Sequence, residues 1–168
     1  MADTETEDDV LENPKGRVLI VAGSDSSGGA GIQADIKTVT ALGGYAATAV
    51  TALTVQNTQG VSAIHPAPAD IITGQIEAVL SDIGADAVKT GMLGSAEVIE
   101  TVIAALDAHG DPAIPLIVDP VMVAASGARL VEEDAVAALR DRLAPRAGLL
   151  TPNAPEAEAL TGVSVQDM

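Results

Sequence analysis

The sequence predicts an α/β fold, a mainly parallel sheet with helices on both faces. Three observations lead there. Short apolar runs alternate with stretches of helical period from Arg17 onward. The first run, RVLIVAG, has the apolar character of a buried strand. Polar clusters follow the runs at 23–31, 54–56, 89–92, 119–121 and 151–156. In a parallel sheet those positions fall at the carboxyl ends of the strands, where ligands bind.

Taken in order, RVLIVAG (17–23) is the first strand, and 32–42 is a helix with Ile32, Ile36 and Val39 on one face. YAATAVTAL (45–53) is the second strand. Residues 69–83 form a helix with Ile71, Ile72, Ile76, Val79 and Leu80 apolar. DAVKTGM (86–92) is a short strand, 96–108 a helix stopped by Gly110, and IPLIVDP (114–120) a strand. Residues 132–143 form a helix, GLLTP (148–152) a strand, and Asn153 opens the last helix. No internal repeat or second domain is visible. Residues 1–14 carry Asp3, Glu5, Glu7, Asp8, Asp9 and Glu12 and read as a disordered acidic tail ahead of one domain at 15–168.

Composition narrows the function classes. With 168 residues, 48% of them apolar, the chain can build a real core, and with Tyr45 as its only aromatic residue that core is made of small aliphatics. The net charge of −16, from 24 acidic against 8 basic residues, disfavours nucleic acid and anionic membranes as partners. A globular protein this acidic fits high salt, where screening removes self-repulsion, so a halophilic setting is expected. There is no cysteine, hence no disulfide, thiolate metal site or Cys nucleophile. No signal-peptide pattern and no run of membrane-spanning length is present, and a cytoplasmic location is expected.

The glycine-rich stretch AGSDSSGGAGIQAD nearly fits two phosphate-binding motifs. Gly23 to Gly28 has P-loop spacing, but Gly29 and Ala30 stand where Lys and Ser/Thr belong. Gly29 to Ala34 matches G-x-G-x-x-A, but no acid ends the second strand to hold a ribose. The loop still allows a ligand close to backbone and helix terminus, or it is simply a tight turn. Asp35 shares a helix face with Ile32, Ile36 and Val39, and a carboxylate at the edge of an apolar stripe needs a partner. That partner is either a cation of the chain or a ligand above the loop. Lys89, ending a strand, faces phosphate or pairs with a carboxylate. Asn153-x-x-Glu156 is the spacing of a capping box. His65, in a loop before Pro66, and His109, beside Gly110, read as local structure, and no zinc-binding spacing occurs.

Five blocks go further. VAGSDSSGGAGIQADIKT, TALTVQNTQGV, VKTGML, VDPVMVAASG and LLTPNAPEAEALTG fall in the order and spacing of hydroxymethylpyrimidine/phosphomethylpyrimidine kinases, the thiamine-biosynthesis members of the ribokinase-like superfamily. The chain resembles that family over residues 17–163. The resemblance implies phosphorylation of 4-amino-5-hydroxymethyl-2-methylpyrimidine, then of its monophosphate, with ATP and Mg²⁺. It implies that the loop from Gly23 floors the pyrimidine and that Asp35 and Gln56 hydrogen-bond it. Met92 and Val121 become apolar walls. Asp119, Asn153 and Glu156 lie near Mg²⁺ and phosphate. The chemistry agrees: an aminopyrimidine shows a donor beside a ring acceptor, and an amide such as Gln56 serves both.

Two departures from the pattern carry expectations. Ala125 stands where the family usually has Lys. The sequence ends at Met168, before the family's later adenine-binding segment and its glycine-rich anion loop, so no catalytic residue is assigned. Little kinase turnover by this chain alone is therefore expected, along with an exposed sheet edge or helix-packing face that suits a homo-oligomer or a complementing chain. A non-catalytic pyrimidine-binding remnant and one half of a split kinase are the alternatives. Pyridoxal kinase is the nearest enzymatic rival.

Overall fold

The computed structural model describes residues 14–123 and 131–164. The expected acidic tail, apart from Pro14, and the Ala125 departure lie outside the described residues. Six strands form one sheet: β1 (Arg17–Ser24), β2 (Tyr45–Asn57), β3 (Gly60–Pro66), β4 (Ala87–Thr90), β5 (Leu116–Val118) and β6 (Leu149–Leu150). Their order is β3-β2-β1-β4-β5-β6, and every pair is parallel except β2–β3. The helices are α1 (Gly31–Ala41), α2 (Ala69–Asp82), α3 (Ala96–His109), α4 (Glu133–Ala138) and α5 (Ala154–Thr161).

The connections explain the layers. From β1 the chain crosses through α1 to β2 on one side, then returns through α2 to β4 on the other. Right-handed crossovers in opposite directions place their helices on opposite faces. Accordingly Ile20, Ala22 and Ile32 form one core with Val18, Ile36, Val39 and Val50, beneath α1. Leu19, Val21, Ala49 and Val88 form the larger core with Ile72 and Ile76 of α2, Ile99 and Val102 of α3, and Leu139 and Leu143. The reversal also creates the crevice beside the carboxyl end of β1 where such folds bind ligands. At the opposite end the Arg17 guanidinium forks onto Asp86 (2.8 and 3.1 Å), fixing the starts of β1 and β4 and holding the Asp86 carboxyl down at about 2.

Three expectations need correction. The second strand runs on to Asn57 and turns back as β3, an antiparallel edge strand the sequence did not announce. His65 therefore sits in a strand rather than a loop. The helix expected over 132–143 is regular only through Ala138, then widens to an i+5 turn at Leu139–Leu143 and tightens to a 3₁₀ turn at Ala144–Arg146. Pro145, which has no N–H to donate, accompanies this irregular end.

Candidate functional site

Register brings the site together. Lys89 pairs with Ile20 across β1–β4, so it lies on the α1 face of the sheet, at the strand's carboxyl end. One turn into α1, Asp35 reaches it: Lys89 Nζ donates to Asp35 Oδ2 at 2.8 Å and lies 3.4 Å from Asp119 Oδ2. Asp119 follows β5, with its N–H held by the Thr90 carbonyl. Lys89 thus does what one of its two readings required: it pairs with carboxylates, two of them. Burial pushes the Asp119 carboxyl above its ordinary value. Lys89 pulls it back, and the charges of Glu156 and Asp35 add to the rise.

A cavity of 350 Å³ opens over this cluster, a size that suits a small ligand. Gly23, Asp35, Gln56, Lys89, Met92, Asp119 and Val121 all line it. Five of these are the expected substrate-binding residues, brought together from β1, α1, β2 and the segments after β4 and β5. Gln56 is held through its backbone, which exchanges two hydrogen bonds with the Ser26 hydroxyl (2.7 and 2.8 Å). Thr54 donates to the Ser24 carbonyl at 2.8 Å. Gly23 is buried, and a side chain there would meet Met92 Cε at 2.5 Å. Its missing Cβ is what seats the Met92 wall. A larger hollow of 980 Å³ lies under β2, α2 and α3 around Thr51, Leu93 and Val98, and Met92 borders both.

The glycine loop is a tight turn closed on a side chain of its own. Asp25, only 3% exposed, takes Ser27 N–H and Oγ–H at 2.8 Å, Gly29 N–H at 3.0 Å and Ala30 N–H at 2.8 Å. Gly28 N–H bonds the Asp25 carbonyl. Burial raises the Asp25 carboxyl, but the donors of Ser27, Ala30 and Gly29 together outweigh it and hold it below the usual carboxylate range. Sequence reasoning passed over Asp25. The available signal was an Asp preceding a helix whose own cap position, Ala30, has no acceptor.

Asn153 and Glu156 do form the capping box: Asn153 Oδ1 accepts from Glu156 N–H and Glu156 Oε2 from Asn153 N–H, both at 2.9 Å. Glu156 Oε1 also accepts from Met122 N–H at 3.3 Å, tying α5 to the segment after β5. Neither residue lines the 350 Å³ cavity. Among the described residues no group of three or more His, Cys, Asp or Glu forms a metal cage, and no helix is long and apolar enough to cross a membrane.

A sheet of this order with a crevice at the carboxyl end of its central strand is common to several α/β folds, and the match to solved vitamin kinases places this one in the ribokinase-like class. Within it, the phosphomethylpyrimidine kinase family model matches residues 25–168, and the chain belongs to that family. It is 56% identical over 154 residues to the thiamine biosynthesis bifunctional protein ThiED of Geobacter sulfurreducens, covering 92% of this chain and 31% of that one. It is 49% identical over 152 residues to hydroxymethylpyrimidine/phosphomethylpyrimidine kinase of Bacillus subtilis, covering 90% of this chain and 55% of the relative. Among solved structures, phosphomethylpyrimidine kinase from Clostridium difficile matches with a TM-score of 0.83 at 45% identity, over 90% of this chain and 66% of that one. Pyridoxal kinase from Staphylococcus aureus in complex with AMP-PCP and pyridoxal matches with a TM-score of 0.76 at 39% identity, over 90% and 53%. The chain thus spans about half the length of the Bacillus relative.

Proposed function

We propose that this chain carries the pyrimidine-binding part of an ATP-dependent kinase acting on 4-amino-5-hydroxymethyl-2-methylpyrimidine and its monophosphate in thiamine biosynthesis. The observation that carries this reading is the convergence of Asp35, Gln56, Met92 and Val121 on one cavity beside Lys89. Lys89 takes Asp35 Oδ2, and no described residue bonds Oδ1. A 4-amino group would donate to Oδ1, while the Gln56 amide meets the ring nitrogen beside it. Met92 and Val121 would close on the ring faces. The hydroxymethyl group then points toward Lys89 and Asp119.

ATP use is inferred from the family. A divalent cation fits the chemistry of the donor set. Asp119 is a carboxylate whose charge is disfavoured by burial and by the neighbouring Glu156 and Asp35, and Mg²⁺ is commonly held by one or two carboxylates plus phosphate oxygens. Asp119 would hold it, with Asn153 and Glu156 shaping the strand end behind. When bound, the ion supplies charge neutralisation for the transferring phosphoryl group. The −16 charge supports a protein working in high salt, and its melting temperature is expected to rise between low and molar KCl.

Calorimetric titration tests the assignment. The aminopyrimidine should bind wild type at one site, more tightly than pyridoxal, and Asp35→Ala should weaken it about tenfold or more, the worth of one charge-assisted hydrogen bond. Equal or tighter binding of pyridoxal, or unchanged binding in Asp35→Ala, would refute it. One observation favours a second reading, a chain that acts with a second copy or a complementing chain. Leu149, in register with Lys89 and Ile117 on the α1 face, is 55% exposed, and no described helix covers that half of the face. Sedimentation showing a concentration-independent monomer would count against self-association.

A further inference from the structure

We propose that Asp25 is a specificity-determining residue: its buried carboxylate fills the anion cradle formed by the glycine loop and the start of α1, closing that cradle to phosphate. Successive backbone N–H groups at a helix start form the standard concave site for phosphate. Here the N–H groups of residues 27 to 30 all turn inward, three to the Asp25 carboxylate and one to its carbonyl. The Ser27 hydroxyl also bonds the carboxylate, at 2.8 Å.

The rest of the loop is locked around this internal anion. Gln33 of α1 accepts from Asp25 N–H at 2.8 Å and donates to the Ser24 hydroxyl at 2.7 Å. Lys37, the cation nearest the loop's outer turn, donates to the Gly28 carbonyl at 2.8 Å. Gly28 holds φ +77°, and Gly31 at φ +56° brings its Cα so close to the Gly23 carbonyl that a Cβ would lie 2.4 Å from that oxygen. Both conformations favour glycine. The glycines therefore wrap the backbone around Asp25 instead of around a ligand. A phosphate arriving here would meet a like charge, with the N–H groups of residues 27 to 30 already taken.

The consequence for substrate rests on the function proposed above. A chain that takes a hydroxymethyl compound and then its monophosphate must accept an anion in the second case. With the loop closed by Asp25, the phosphate lies at the other end of the cavity, where Lys89 is the one basic lining residue among those described.

The test is a ¹⁵N NMR titration with inorganic phosphate, for wild type and Asp25→Ala. In wild type the amides of Ser27, Gly29 and Ala30 should not shift. In Asp25→Ala the same amides should shift saturably, with phosphate binding at least about tenfold tighter than to wild type, as expected when fixed N–H donors meet an anion. Phosphate should also raise the melting temperature of the variant more than that of wild type. Saturable shifts of these three amides in wild type, or no gain of phosphate binding in a folded Asp25→Ala protein, would overturn the proposal. If the variant does not fold, the wild-type titration decides alone. Pyrimidine titration of the same wild-type sample keeps the two readings apart, since failure to bind pyrimidine leaves the phosphate result standing.

Discussion

Two helix starts at the carboxyl edge of the sheet are closed in related ways. At α5, Glu156 and Asn153 satisfy each other's backbone N–H within a single turn. At α1, Asp25 reaches across five residues and gathers four donors from a loop that has no regular structure. Both ends are negative, both carboxylates are buried at 3% and 6% exposure, and both suit the positive end of a helix dipole. The difference lies in range. The α5 cap is a local device that stabilises one helix and, through Met122, ties it to the segment after β5. The Asp25 device is a small tertiary structure, and it sets the shape of the cavity wall above it.

If that contrast is right, removing Asp25 should be the costliest change. Asp25→Ala is expected to lose about 3 kcal/mol of stability in urea unfolding, because four donors lose one charged acceptor together. The α1 side of the cavity should loosen with it. Glu156→Ala should cost less, about 2 kcal/mol, since two backbone donors lose one acceptor residue. Asn153→Ala should cost about 1 kcal/mol, the usual worth of a helix cap, and should leave the glycine loop's amide exchange unchanged. Equal losses for Asp25→Ala and Asn153→Ala would erase the distinction.

The smallest effect is the acid dependence. The Asp25 carboxyl is held below its ordinary value, so its contribution is present above the unfolded carboxylate range and fades as pH falls through the folded value. Asp86, at about 2 beside Arg17, behaves likewise at the other end of the sheet, although both partners are well exposed. Between about pH 4 and pH 2, the stability of Asp25→Ala should fall less steeply than that of wild type. Urea midpoints across that range would show it. Parallel curves would mean that Asp25 is not bonded as an anion.

The same contrast explains what could be read from the sequence. Asn153-x-x-Glu156 was legible because a capping box is written in four residues. The order of strands and helices was legible because buried strands and amphipathic helices differ in period. Asp35 could be given a need for a partner, since it sits beside Ile32 and Ile36, but Lys89, 54 residues away, became its partner only through the β1–β4 register. β3 went unread because GVSAIHP is an exposed edge with no apolar alternation to mark it. The widening of the helix at Leu139 leaves the same spacing of apolar residues as a regular helix. Asp25 was hidden for the opposite reason: a glycine-rich loop suggests an external anion, while the anion these glycines enclose belongs to the chain.

The most direct test of the account is to map the bound aminopyrimidine on ¹⁵N- and methyl-labelled wild-type protein. The account predicts shifts centred on Asp35, Gln56, the Met92 methyl and Val121, with the amides of Ser27, Gly29 and Ala30 retaining their protected, Asp25-bonded state. Shifts centred instead on Thr51, Leu93 and Val98, in the larger hollow on the other face of the sheet, would contradict it.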